Sequence, residues 1–302
     1  MTLAAAPRNE AFRGPRQNHQ AALLYYLAGV GLLCLMDAAV KDIAGRYPTV
    51  EVAFLRYVAG LFVIGAVVAW IRPGWPSRQL VFANILRSGV MALLSITFFF
   101  SLTALPLAEA VALSFLSPAF LALFGAWLLR EKLSPRIGLA LGVGFLGVLV
   151  IIGGKLGQAT YGPLALWGAG AALISAVLYA LSLVMLRARA QQDSIPLMVL
   201  VLHVGTTLLL LVPAMIVWQP PTAGDGLIFA ATGVFGTGGH LLLANAFARS
   251  QAGRLAPFEY TALIWAAALG YAVFGEMPGL ATILGAGFII GSALIAGRSK
   301  AT

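Results

Sequence analysis

The chain has 302 residues, of which 61% are hydrophobic and only 10% charged, with a formal net charge of +9. A water-soluble domain carries about 25% charged residues, so this composition, with a mean hydropathy of +0.94, excludes a soluble fold. Lys and Arg lie singly or in small groups between apolar stretches, not in one patch, which excludes a nucleic-acid-binding surface as the reason for the charge.

Residues 1–20 are polar and carry Arg8, Arg13 and Arg16. They read as a cytoplasmic tail before an uncleaved first helix, because the apolar run that follows is long enough to span, unlike that of a signal peptide. A helix needs about 20 mostly apolar residues to cross a bilayer, where its backbone groups must be satisfied internally. Ten runs qualify, at roughly 21–40, 50–71, 80–102, 105–129, 135–153, 163–186, 196–218, 226–247, 255–275 and 279–297. Breaks such as Arg72-Pro73-Gly74-Trp75-Pro76, Leu105-Pro106, Ser134-Pro135, Gly162-Pro163, Pro220-Pro221 and Met277-Pro278 separate them. The connections are too short for a soluble catalytic or nucleotide-binding domain, which excludes an ATP-driven pump within this chain.

Ionisable side chains inside spans are costly, and they face a cavity or a partner. In the first run Asp37 precedes Lys41 by one turn: the two form a structural ion pair, or Asp37 is a coupling or substrate-ammonium site. Cys34 is the single cysteine and reads as a small buried hydrophobe. Arg56 in the second run can bind a substrate carboxylate as part of a gate, or pair with Glu51. Arg87, near the start of the third run, is expected to snorkel to the interface. Ser95 and Phe99 further along that run are candidate cavity residues, as are Tyr179 and Ser182 in the sixth. His203 in the seventh run stands at a depth comparable to Arg56 and is the second candidate gating residue. The eighth run contains Gly233, Gly236, Gly238 and Gly239 before His240 and Asn245. Such a glycine cluster permits close helix approach or local unwinding, and His240 and Asn245 are read as cavity candidates. Tyr260 and Trp265 in the ninth run can stack on an aromatic or cationic substrate. Tyr25, Tyr26, Trp70, Trp75, Trp167 and Trp218 fit an interfacial aromatic belt. The three histidines lack zinc-ligand spacing, so no metal site and no cofactor is expected.

Charge fixes an orientation. Of the 19 Lys and Arg residues, Lys41, Arg46 and Lys155 fall on one side of the ten runs, Arg56 and Arg87 lie within them, and the remaining fourteen share the side of the N-terminus. Both termini are therefore predicted to be cytoplasmic, in a bacterial-type inner membrane.

The chain also repeats itself. Gly125…Glu131 matches Gly270…Glu276, and Leu139 and Gly142 match Leu284 and Gly287, all at an offset of 145 residues. His240 falls opposite Ser95 at that offset. Each match lies at the end of the fourth or the start of the fifth run of a five-run half, so residues 21–153 and 163–297 form two repeats. Five is odd, so the second half enters the membrane from the opposite side. Inverted repeats place a substrate site near the midplane between halves that exchange conformations. The fold class expected is an all-α integral membrane protein of ten transmembrane helices in two inverted five-helix repeats.

Ser117-Pro118, Gly125…Glu131-Lys-Leu-Ser-Pro135…Gly142 and, in the second half, Glu276-Met-Pro278…Gly285…Gly287 resemble the duplicated EamA domain of the drug/metabolite transporter superfamily over about 22–297. Within it the chain is most similar to the YddG-type exporters of aromatic and other amino acids. One departure is Leu263, which stands where a counterpart of Pro118 would provide a helix break. The resemblance implies a secondary transporter, an exporter of small metabolites such as amino acids, and not an enzyme. It places the second and seventh helices beside a central cavity as gates. Drugs, nucleosides or other metabolites are the alternative cargo. The partners implied are a small-molecule substrate and membrane lipid, with the protein a monomer or homodimer. A prenyl or acyl transferase would need clustered acids or a His–Asp pair, which the spans do not offer.

Overall fold

A computed structural model describes residues 18–43, 46–104, 113–153, 164–274 and 279–297. All regular structure among them is helical: α1 His19–Ile43, α2 Thr49–Ile71, α3 Arg78–Ala104, α4 Ser117–Leu128, α5 Pro135–Gly153, α6 Ala165–Ala190, α7 Ile195–Ile216, α8 Ala223–Arg249, α9 Ala262–Phe274 and α10 Leu280–Gly297. A single turn, Ala252–Leu255, and a 3₁₀ segment, Ala256–Thr261, lead into α9. Among the described residues six helices, namely α1, α2, α3, α6, α7 and α8, are long and apolar enough to cross a membrane. Ser117–Leu128, Pro135–Val150 and Ile283–Ala296 are shorter apolar helices. Residues 105–112, with which the fourth predicted run begins, lie outside the described residues, as do Lys155, Glu276 and Pro278.

The surface carries large apolar side chains, among them Phe62 at 76% and Ile216 at 78% exposure, as lipid contact requires. Trp70, Trp75 and Trp167 are exposed near helix ends, in keeping with an interfacial belt. Tyr26 is not part of one. It is fully buried, because its hydroxyl reaches an interior carboxylate described below.

Most of the helix contacts correspond in pairs when each helix is exchanged for the one five places away. The α1/α8 contact corresponds to α6/α3, α2/α8 to α7/α3, and α4/α6 to α9/α1, while α2/α7 and α5/α10 are their own counterparts. Phe115 and Tyr260, 145 residues apart, stack with ring centroids 6.3 Å apart. On the α5/α10 contact Ser292 Oγ donates to the Ala140 carbonyl at 2.7 Å.

The glycine cluster of α8 serves close approach. The helix runs unbroken from Ala223 to Arg249, and a Cβ at Gly233 would lie 2.6 Å from the carbonyl carbon of Ala59 in α2. Small residues let membrane helices approach in this way. The entry to α9 behaves differently from its sequence expectation. Leu263 lacks a proline's break, but Pro257 near the start of the 3₁₀ segment supplies an irregular entry six residues earlier.

Candidate functional site

Tyr179 and Ser182 lie one turn apart on α6 and so share a face. α3 packs against that face, and Arg87 Nε donates to Ser182 Oγ at 3.0 Å. Arg87 does not snorkel: it is 3% exposed, because its side chain turns toward α6 instead of toward the membrane surface. Among the described residues, its Nη1 has no hydrogen-bond partner. α8 brings His240 to the same place, 7% exposed, and its Nδ1 is likewise unpartnered. Leu33 of α1 with Met91, Leu183, Leu186 and Leu243 completes the lining of one cleft between α1, α3, α6 and α8. The cleft is nearly closed, with about 10 Å³ left for a water centre, room for one water molecule at most.

Behind His240 stands His203 of α7, its ring edge-on at 5.6 Å between centroids. His203 Nδ1 lies 2.8 Å from the Val199 carbonyl, which only accepts, so Nδ1 carries a proton; its Nε2 lies 3.2 Å from Thr237 Oγ1, whose hydroxyl donates to the Gly60 carbonyl. Tyr57 of α2 meets the same imidazole edge-on at 5.3 Å, and its hydroxyl is unpartnered among the described residues. Arg56 lies over the Tyr57 ring at 4.5 Å and points Nη1 at Met36 Sδ. Glu51 accepts instead from the Gln219 backbone N–H at 3.0 Å.

On the other side of Tyr179 is Glu259, which sequence reasoning passed over. Tyr179 donates to its Oε1 at 2.9 Å, and Tyr26 donates to Oε2. The signal available was an acid four residues inside the ninth predicted run.

The remaining candidates are distributed more widely. Asp37 is exposed, with Arg56 and Glu259 the charged groups close enough to act on it; the Lys41 side chain lies outside the described residues. Ser95 Oγ bonds within α3 to Met91 O, and Phe99 packs beside Phe98. Asn245 bonds to Leu241 O and accepts from Arg249. Tyr260 is buried against Phe115, and Trp265 lies against Gly31 while remaining 40% exposed. The structure thus gathers Tyr179, Ser182 and His240 at the cleft, with His203 and Arg56 beyond it, and places Ser95, Phe99, Asn245, Tyr260 and Trp265 elsewhere. Among the described residues no three His, Cys, Asp or Glu form a metal-binding group.

Polar clamps close both ends of the bundle. Where α1 meets α8, Arg46 bridges Asp42 and Asp225, and Tyr47 donates to Asp225 at 2.8 Å. At the opposite end Glu131 accepts from Arg187 at 3.0 Å and from the Ala252 backbone N–H at 2.8 Å. Arg187 also donates to the Phe247 carbonyl, so the α4–α5 connection is tied to α6, α8 and the entry to α9. An open cavity of about 450 Å³ lies over this clamp, lined in part by Arg130, Lys132, Gln191 and Gln251.

The sequence profile of the EamA-like transporter family matches twice, over residues 20–153 and 166–298. The pseudopaline exporter of Pseudomonas aeruginosa is 30% identical over 277 residues, covering 88% of this chain and 92% of that protein. The S-adenosylmethionine uptake transporter of Rickettsia prowazekii is 25% identical over 280 residues, covering 90% and 93% respectively. One crystal structure shares the fold at a TM-score of 0.79 and 21% identity, covering 92% of this chain and 97% of that one.

Proposed function

The chain belongs to the EamA-like transporter family, a membrane transport protein and not an enzyme, and from that premise we propose a secondary transporter that exports amino acids, aromatic ones included, by alternating access between two inverted five-helix repeats. The observation that carries the site is a pair of buried, unpartnered nitrogens, Arg87 Nη1 and His240 Nδ1, lining one cleft. An unpartnered buried donor costs free energy unless a ligand satisfies it, and a guanidinium with free N–H groups suits a carboxylate. The near-closed cleft then corresponds to an occluded arrangement that admits a substrate when the helices separate.

The paired helix contacts and the doubled profile match support the repeat, with halves 21–153 and 163–297. Arg56 and His203 on α2 and α7 are the proposed gating residues. Asp37, Ser95, Phe99, Asn245, Tyr260 and Trp265 join the cavity as it opens. The bias of Lys and Arg supports a topology with both termini in the cytoplasm of a bacterial-type inner membrane, with the protein a monomer or homodimer. A second reading, favoured by the relative named for S-adenosylmethionine uptake, is a larger metabolite, nucleoside or drug as cargo.

Protein reconstituted in liposomes and offered a panel of labelled amino acids, nucleosides and drugs tests the class. Saturable amino-acid transport that falls at least about tenfold in Arg87→Met, the cost of roughly one lost charged hydrogen bond, is expected. Failure of the wild-type protein to move any amino acid would sink the substrate class.

A further inference from the structure

Glu259 is a buried carboxyl group to which the proposed carboxylate site gives no role. It is 8% exposed and lies on the 3₁₀ segment before α9. Tyr26 from α1 and Tyr179 from α6 each donate to one of its oxygens. Among the described residues no Lys, Arg or His forms an ion pair with it. A carboxylate at membrane depth is costly unless paired, and two phenols disperse its charge without balancing it.

Tyr179 connects this acid to the cleft. Its proton is committed to Glu259, while its residue lines the cleft wall, and a phenolic oxygen that donates keeps lone pairs with which to accept. One turn along the same face, about 4.5 Å by helical rise, Ser182 holds Arg87. The cleft therefore offers the Arg87 guanidinium, and Tyr179 in its wall leads on to the Glu259 carboxyl group, which does not itself line the cleft. Asp37 of α1 is the other acid in this region, and the charges of Arg56 and Glu259 both act on it.

We propose that Glu259, with Tyr179 and Tyr26, forms the subsite for the ammonium group of a zwitterionic substrate whose carboxylate lies at Arg87. This rests on the transport reading above and narrows it to amino acids with a free amino group. A zwitterion balances both buried charges at once and adds no net charge to the hydrocarbon region. A substrate lacking the ammonium leaves Glu259 uncompensated.

The test uses the full-length protein in liposomes with two labelled probes, phenylalanine and 3-phenylpropanoate, which lacks the amino group. Wild-type protein is expected to favour phenylalanine in kcat/KM by about tenfold or more, because a site built for a polar group rejects an analogue without it. Glu259→Gln is expected to bring the two probes to within about twofold of each other, the discrimination left once that interaction is gone. Tyr179→Phe, which keeps the acid but removes the link, should reduce the preference in the same direction and decides the matter if Glu259→Gln does not elute as a folded protein. An undiminished preference in the folded variant overturns the ammonium subsite while leaving transport standing. Equal handling of the two probes by the wild-type protein also overturns it. Movement of neither probe overturns both this subsite and aromatic amino acids as cargo.

Discussion

Gly60 sets how closely α2, α7 and α8 approach. A Cβ there would lie 2.6 Å from His203 Cδ2 and 2.8 Å from Thr237 Oγ1, and the imidazole cannot swing aside without losing its bonds to Val199 and Thr237. A Cβ at Gly205, which is Gly60 displaced by the repeat offset, would run into the Ser88 hydroxyl in the same sense. Gly65 on α2 has nothing within 4 Å of its would-be Cβ. Gly60→Ala is therefore expected to destabilise by about 1–3 kcal/mol through overpacking, whereas Gly65→Ala is expected to be neutral or stabilising by up to about 1 kcal/mol. Melting both variants in detergent checks this, and a Gly60→Ala protein as stable as the wild type would contradict the packing described. Residue identity was partly legible beforehand. Ionisable groups deep in runs drew attention to Arg56, His203 and His240. Arg87 was misjudged because hydropathy gives depth along a helix but not rotation, and only packing against α6 turns it inward. Glu259 was missed for a related reason: its partners Tyr26 and Tyr179 lie 233 and 80 residues away in sequence.

At the scale of elements, run length and punctuation located the long helices well. They did less for the two places where backbone regularity depends on tertiary contacts. A turn at 115–116 precedes α4, and the ninth run enters through a turn and a 3₁₀ segment. The glycine cluster of α8 admitted two outcomes, and contacts with α1 and α2 decided for close packing. The Glu131–Arg187 clamp joins elements from both halves of the chain, with side chains 8% and 9% exposed. In protein whose only native cysteine, Cys34, is replaced by alanine, a cysteine placed at Gln251 beside the clamp is expected to react with an impermeant maleimide from the cytoplasmic side. Arg187→Leu is expected to speed that reaction by leaving Glu131 without its countercharge. Labelling from the external side would reverse the assigned orientation, and an unchanged rate would show that the clamp does not hold this end closed.

For the molecule as a whole, three independent features converge: a sequence offset of 145 residues, a charge bias across alternate connections, and helix contacts most of which correspond in pairs under a five-place exchange. The first two were legible from the sequence, since they need only spacing and counting. The third needed coordinates. Together they support a carrier that exposes one site alternately, as opposed to a continuous pore. Counterflow separates the two most directly. Liposomes containing the protein and loaded with unlabelled phenylalanine are diluted into a trace of the labelled amino acid. The account predicts that label accumulates transiently above its external concentration and then decays, because the site must exchange one molecule for another. A monotonic rise to equilibrium without overshoot would contradict alternating access.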